Sequence, residues 1–569
     1  MSARPAAAPP VARGAAPRLG SDDWLRGGAL WILFAALALT TVAPLFVLLA
    51  KSFQDRDGNF AGLANYVEYV HTPALFQSVH NSLYVSAVST AITVTLAFLY
   101  AYALTRSCMP GRRLFRVIAF LPLLAPSLLS AIALIYLFGN QGLVKGLLMG
   151  GTIYGPIGIV LGEIFWTFPH ALIILVTALS LSDARLHEAA QSLGASRARI
   201  FWTVTLPGAK YGLISACFVV FTLVITDFGV PKVIGGQYNV LATDVYKQVV
   251  GQQNFSMGAV VGMILLLPAL LAFTADRIVQ RRQIALLSAR AVPYRPAPHR
   301  PTDLALLGFC GVVGAAIVAV LGVAAFASFA KLWPYDLSLT LRHYRFDMMD
   351  GGGWGAYRNS LEMATWTAVA GTAVIFAGAY LVEKSTGFGR LRGAVQFMAY
   401  VPLAVPGLVL GLAYIFFFND PGNPLNVVYH TMAILVICTI VHFYTVAHLT
   451  AVTALKHLDP EFEAVSASLK VPFYRTFWRV TVPVCMPAIL DISIYLFVNA
   501  MTTVSAVVFL YSANTQLASV AVLNMDDAGD VAPAAAMAMM IVYTSAAVRL
   551  LHALLTRGIA RSSQAWRTR

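Results

Sequence analysis

Long apolar stretches, broken by short polar segments, recur along the whole chain. Twelve of them reach about 20 residues, at approximately 28–50, 84–105, 114–137, 153–180, 211–235, 256–275, 304–330, 360–382, 393–418, 427–452, 486–510 and 531–554. A helix of about 20 apolar residues crosses the hydrocarbon of a bilayer, so the pattern predicts twelve membrane-spanning helices. Two polar, helix-prone segments interrupt it at matching places, after the fourth span and after the tenth. The expected fold is all-α and polytopic, with two tandem six-helix domains at 28–276 and 303–556. Residues 1–27, rich in Ala, Pro and Arg, read as a disordered tail. Residues 277–302 read as a basic linker and 557–569 as a basic tail. A cleaved leader suits the N-terminus less well, because the polar stretch is long and the apolar segment after it has the length of a span.

Composition agrees. Of the 569 residues, 59% are hydrophobic and 11% charged, against about 25% charged in soluble domains. The net charge of +14 would suit nucleic acid, but its distribution does not. With the N-terminus inside, the cytoplasmic segments hold 30 of the 39 Lys and Arg, the bias that fixes orientation during insertion. Both termini are then cytoplasmic, and the basic residues between 277 and 300 face anionic lipid rather than phosphates of DNA or RNA. The five cysteines (Cys108, Cys217, Cys310, Cys438, Cys485) lie far apart, without metal-ligand or disulfide-framework spacing.

The halves repeat. His80, Asn81, Ser82 and Leu83, expected to open the second span, return as Arg358, Asn359, Ser360 and Leu361, 278 residues on. Leu121, Pro122 and Pro126 return as Val401, Pro402 and Pro406 after 280, and Pro207 returns as Pro483 after 276. Near-constant offsets mark a duplication. Six spans return the chain to its starting side, so the repeats are parallel and pack about an axis normal to the membrane, with the pathway between them. Pro122, Pro126, Pro402 and Pro406 each remove a helix hydrogen bond. Neighbouring helices can simply accommodate them, or the paired kinks shape the lumen and bend during gating.

The polar segments carry the sharpest motif. The first reads Glu188, Ala189, Ala190, then Gly194, and closes at Val204, Leu206 and Pro207. The second runs from Glu463 and Ala464 through Leu469 and Lys470 to Val482 and Pro483. Each has a Phe-Trp pair before the proline, Phe201 with Trp202 and Phe477 with Trp478. This pattern resembles the EAA loop of binding-protein-dependent ABC importer permeases, and the resemblance covers nearly the whole chain as two fused permease domains. It implies that each loop forms two short helices joined near the glycine and docks on a cytoplasmic ATPase subunit. Two copies of that subunit, binding ATP and Mg, and a periplasmic substrate-binding protein would be the partners; this chain itself would hold no cofactor and catalyse nothing. Aligned from Pro483, the second copy has Ala464 at the glutamate position and Lys470 at the glycine position. That leaves the shape of its elbow open.

Residues 226–231 (Thr, Asp, Phe, Gly, Val, Pro) are typical of the fused permeases resembling ferric-iron, thiamine and 2-aminoethylphosphonate systems, and 501–512 with 524–530 look most like 2-aminoethylphosphonate permeases, with ferric iron as the alternative cargo. Ionisable residues inside spans are costly and often functional. Glu163 and Asp227, with the four prolines, are therefore candidate pathway or gating residues. Against that, Glu163 can pair inside the bundle, and Asp227 can cap backbone amides where the fifth span ends. His170 and His442 read as hydrogen-bonded packing residues and Asp491 as a headgroup-level group. No Gly-x-x-x-x-Gly-Lys-Ser/Thr sequence occurs, so no ATP site of that type is expected. A twelve-span secondary transporter would show the same repeats but leaves the two polar loops unexplained.

Overall fold

The computed structural model describes residues 21–181, 183–286, 292, 294–385, 387–459 and 461–563. The described residues are mostly helical, with one small antiparallel hairpin among them, β1 (Ala330–Leu332) and β2 (Asp336–Leu339). Among the described residues eight helices are long and apolar enough to cross a membrane, and four bent pairs bring the number to twelve if each pair is one span.

In the first half, α1 (Ser21–Leu37) passes through a π turn into α2 (Ala43–Ser52), forming one span over Asp22–Ser52. There follow α3 (Pro73–Arg106), α4 (Arg112–Phe120), α5 (Ser127–Phe138), α6 (Pro156–Ser180), the loop helix α7 (Ala184–Ser192), α8 (Lys210–Thr226), the short α9 (Gly229–Ile234) and α10 (Leu241–Tyr246), and α11 (Phe255–Leu286). The second half repeats them as α12 (Arg300–Phe329), α13 (Gly353–Lys384), α14 (Gly389–Ala404), α15 (Gly407–Phe418), α16 (Met432–Lys456), the loop helix α17 (Glu461–Ser468), α18 (Met486–Thr502), α19 (Ala518–Asp527) and α20 (Val531–Ser563).

Several expected boundaries move. The first helix begins at Ser21, inside the stretch read as a disordered tail; residues 1–20 lie outside the described residues. The linker expected at 277–302 is shortened from both sides, since α11 runs on to Leu286 and α12 starts at Arg300, capped by His299 accepting from Thr302 N. Residues 287–291 and 293 of that linker, and 564–569 of the C-terminal tail, lie outside the description. The second and eighth spans start before His80 and Arg358. Pro73 follows an extended Thr72, and proline at the first helical turn starts a helix without losing a bond.

The paired prolines do more than kink. α4 and α5 meet at 104°, and α14 and α15 at 113°. Pro122 sits in a 3-10 turn and Pro126 is extended at the start of α5; Pro402 ends α14 and Pro406 starts α15. Two missing donors four residues apart remove the ladder on both sides of the break. The fifth and eleventh spans stop short of 235 and 510, because the helices end at Thr226 and Thr502 and the apolar residues beyond them form buried turns and short helices.

Each half has its own bundle, α3 with α6, α8 and α11, and α13 with α16 and α18. The leading spans cross over. α1 packs on α14 and α2 on α15, while α12 packs on α4 and α5. A continuous apolar core joins the halves through α2, α11, α15 and α20.

Candidate functional site

The two loops share one geometry. In the first, Asp183 caps α7, its carboxylate accepting from Arg185 N. The Arg185 guanidinium, bonded at 2.5 Å, holds that carboxyl down at about 2. At the other end Gly194 takes φ +74°, its N–H donating to Gln191 O at 2.9 Å while Ala195 N–H reaches Ala190 O at 3.0 Å. These are the two bonds of a left-handed helix C-terminus. In the second loop Asp459 Oδ1 accepts from Glu461 N at 3.0 Å. Lys470 takes φ +52°, donating to Ala467 O at 3.1 Å, and Val471 donates to Ser466 O at 3.0 Å. Lys470 thus adopts the bend of Gly194, and the second elbow has the same shape as the first despite its side chain. A non-glycine residue there is strained by roughly 1–2 kcal/mol.

Both loops present the same apolar face. Leu193 is 87% and Trp202 65% exposed; 276 residues later Leu469 is 69% and Trp478 66% exposed. Leu186 and Phe462 match in the same way and are exposed too. Glu188 and Ala189 are exposed and Ala190 half-buried. Ala464, at the position of Glu188, is exposed, whereas Glu463 matches His187 and turns inward to accept from Tyr380 Oη at 3.3 Å. His187 is buried, 3.2 Å from Thr205 Oγ1, and burial together with the Arg106 guanidinium keeps its pKa below the usual value.

The Phe-Trp pairs divide their work. Each tryptophan faces out, and each phenylalanine plugs into the second helix of its half. Phe201 lies 6.1 Å from Phe98 and 5.6 Å from Tyr102 on α3; Phe477 lies 6.0 Å from Phe376 and 4.9 Å from Tyr380 on α13. Residues four apart on a helix share a face, so each loop is seated on two successive turns of a span. A π-helical turn occupies Phe201–Thr205 and Phe477–Thr481. Pro207 and Pro483 follow it, and bends of 61° and 78° lead into α8 and α18.

Segments leading into the opposite half brace both loops. Ala184 N–H donates to Val292 O at 2.9 Å, and the Tyr294 ring, just before α12, lies tilted 4.8 Å from His187 and 4.2 Å under the Arg106 guanidinium. On the second loop, Asp22 of α1 accepts from Phe473 N at 2.9 Å and Arg26 lies 5.1 Å over the Phe473 ring. Sequence reasoning missed these braces and the Asp183 and Asp459 caps; the caps were signalled by their 276-residue spacing.

At the far end of the bundles the repeated Asn-Ser motif finds its role. Asn81 Nδ2 donates to Asn239 O at 2.8 Å, and Ser82 Oγ accepts from Leu241 N at 2.8 Å. Asn359 Nδ2 donates to Gln516 O at 3.0 Å, and Ser360 Oγ accepts from Ala518 N at 2.8 Å. The motif pins the start of α10 and of α19, two short helices at the contact between the halves. There Lys232 of α9 bonds Asp527 of α19 at 2.9 Å, and the Tyr246 ring stacks 6.0 Å from Phe509. Burial, with Asp527 alongside, pushes the neighbouring Asp526 up to about 6.

Asp227 accepts from Val230 N at 2.8 Å and so caps α9. Glu163 is fully buried on α6, with Asp227 beside it. Pro122, Pro126, Pro402 and Pro406 lie at the two sharp breaks. Just beyond them the helices approach closely, since a Cβ on Gly229 would lie 2.2 Å from Ser127 Oγ and one on Gly407 2.4 Å from Ser505 Oγ. His170 lies 5.5 Å from the Trp166 ring and His442 4.5 Å from the Phe443 ring. Asp491 is partly exposed and 3.3 Å from His552.

Comparison with known proteins fits this frame. The family model described as binding-protein-dependent transport system inner membrane component matches twice, at 93–285 and 374–561. The ferric transport system permease FbpB of Actinobacillus pleuropneumoniae is 26% identical over 539 residues, 92% of this chain and 77% of that protein. The spermidine/putrescine permease PotB of Haemophilus influenzae is 28% identical over 44% of this chain and 94% of its own. PhnU of Salmonella typhi, named for 2-aminoethylphosphonate transport, is 25% identical over 44% of this chain and 91% of its own. With both halves matched, the chain belongs to the inner-membrane components of binding-protein-dependent transport systems, as the tandem-fused permease of an ABC importer.

Proposed function

We propose that this permease carries 2-aminoethylphosphonate inward between its halves. The observation that supports this cargo is the placement of Lys232 beside Asp526 and Asp527 where the halves meet, opposite charges suited to a small zwitterion. Likeness to PhnU over 44% of the chain supports it as well. Ferric iron is the second reading, favoured by the relatives that match along both halves. A lumen that passes a delivered solute need not bind it tightly, so selectivity rests largely with the periplasmic binding protein.

In this reading two copies of a separate ATPase, holding ATP and Mg, dock on the two loops. Leu186, Leu193 and Trp202, with Phe462, Leu469 and Trp478, form the shared footprint, and Glu188 adds a polar contact on the first loop alone. Closure of the ATPases moves the loops, and Phe201 and Phe477 pass the displacement to α3 and α13. The loop face is cytoplasmic, as are both termini, and lipid surrounds the bundle.

A strain lacking this chain, and any second phosphonate importer, is expected to stop growing on 2-aminoethylphosphonate as sole phosphorus source and to recover with the chain restored. Unimpaired growth there, with failure under iron limitation that this chain rescues, would move the assignment to ferric iron. Topology has its own test. Reporter fusions in the segment before Asn81 are expected to be periplasmic and fusions near Arg290 cytoplasmic; a periplasmic signal at Arg290 would overturn the orientation and the docking role with it.

A further inference from the structure

The first half places two adjoining carboxyls, Glu163 and Asp227, where the second half has Thr439 and Thr503. Glu163 is 0% exposed, and among the described residues no donor reaches either of its carboxyl oxygens. Its neighbour is the carboxyl of Asp227, which is itself an acceptor, taking bonds from Val230 N and from the Ser127 hydroxyl. An unpaired ionised carboxylate in an apolar bundle is strongly disfavoured, and two side by side cannot both ionise. A protonated carboxyl, by contrast, becomes a donor. One proton therefore satisfies both groups at once.

Among the described residues no Lys, Arg or His is bonded to either carboxyl. Lys232 on α9 is bonded to Asp527, and Arg106, at the loop end of α3, is bonded to Leu179 O. His170 on α6 lies inward against Trp166. On α8 the basic group is Lys210, at the loop end, and α5 carries no charged residue. Asp244 on α10 is bonded to Ser78. Among the described residues no group of three or more His, Cys, Asp or Glu could hold a metal ion.

A file of hydroxyls runs along α3 from the far face to Thr93, whose Oγ1 lies 3.4 Å from that of Thr167, one turn from Glu163 on α6. Ser78, Ser82, Ser86, Ser89 and Thr93, spaced four, four, three and four residues apart, line one face of α3, all buried. Between them and α6, α8 and α9 lies a cavity of about 10 Å³, room for one water. Ser82 and Ser86 line it with Ile159, Ile225 and Pro231. The hydroxyls of Ser86 and Ser89 have no protein partner among the described residues, leaving them free to bond water. At the matching positions of the second half stand Thr439 for Glu163, Thr503 for Asp227, Gly407 for Ser127, Ala356 for Ser78 and Ala364 for Ser86, while Ser82 and Ser89 are kept as Ser360 and Thr367. The carboxyl pair is peculiar to the first half, whereas part of the hydroxyl file is common to both.

We propose that Glu163 and Asp227 form a proton-binding site in the first half, one proton held between two carboxyls and exchanged with the far face along the hydroxyl file of α3. The proton comes from water at the mouth of the file and rests on a Glu163 oxygen, donating to Asp227. It leaves by the same path when the contact between α5 and α9 opens and water replaces it.

The test is infrared spectroscopy of the full chain in lipid nanodiscs at about pH 8, where Asp244 and Asp526, each pushed up to about 6, are ionised. Wild type is expected to show a carboxylic-acid C=O band that shifts in D2O and disappears in Glu163→Gln. The double change Glu163→Thr with Asp227→Thr, which copies the second half's own residues, guards against misfolding of the single variant and is expected to lose the band too. Absence of the band in wild type, or its survival in both variants, would overturn the proposal. This readout is independent of cargo and coupling. A second readout, flattening of the pH dependence of uptake in the double variant, rests on the importer reading; if it fails while the band behaves as expected, the proton site stands and its link to transport falls.

Discussion

Gly194→Pro is expected to abolish uptake while leaving the chain inserted in the membrane. Gly194 holds φ +74°, and proline is fixed near −65°. The substitution also deletes the N–H that donates to Gln191 O at 2.9 Å. The combined cost, about 3 kcal/mol or more, falls on an exposed turn, so the spans are untouched while the angle between α7 and the segment carrying Phe201 and Trp202 is lost. Lys470→Gly is the informative contrast. It relieves backbone strain, offset in part by the extra freedom of the unfolded chain, and changes stability by no more than about 1 kcal/mol with uptake kept. The measurements are uptake, membrane abundance and co-purification of the ATPase. Normal uptake in Gly194→Pro at wild-type abundance would remove the first loop from the coupling mechanism.

Lys232→Asp is expected to raise ATP hydrolysis in the absence of solute several-fold in the reconstituted importer. Lys232 and Asp527 come from opposite halves, and their contact must break for the halves to part at the far face. Reversing the lysine places a third acid beside Asp526 and Asp527, a repulsion that favours the parted state. The exchange Lys232→Asp with Asp527→Lys restores the pair and is expected to bring the rate back to within about twofold of wild type, a double-mutant comparison that isolates the pair from its surroundings. High salt weakens the effect, because the pair is partly exposed and screened. A single variant indistinguishable from wild type would mean that the halves are held together elsewhere.

Much of this architecture was legible in the sequence, for identifiable reasons. Apolar length reveals spans, and a repeat offset of 276 to 280 residues reveals which positions correspond, so both loops and both pairs of prolines could be named. Composition could not show that the fifth and eleventh spans end early. Residues 503–510 are almost all apolar, and a buried turn has the same residue types as a buried helix. The sharpness of the breaks beside Pro126 and Pro406 was hidden because one proline only kinks, whereas two flanking an extended residue end the helix. Lys470 looked like a departure in the second loop because its type was visible and its backbone angle was not. Crossing of the leading spans left no trace, since a helix that is apolar all round does not declare its neighbour.

That crossing has a consequence for biogenesis. The span of α1 and α2 is seated against α14 and α15, whose residues begin more than 300 positions later. At about 5–20 residues per second, the leading span waits in lipid for roughly 20–70 s before its partners are synthesised. Trp24, Trp31, Ile32 and Phe46, which remain exposed even in the finished protein, give it a surface that lipid can hold meanwhile. The reciprocal seat, that of α12 on α4 and α5, is already built when α12 emerges. The order of synthesis thus constrains assembly: α12 can dock on α4 and α5 as it emerges, whereas α1 and α2 can be seated only once α14 and α15 exist.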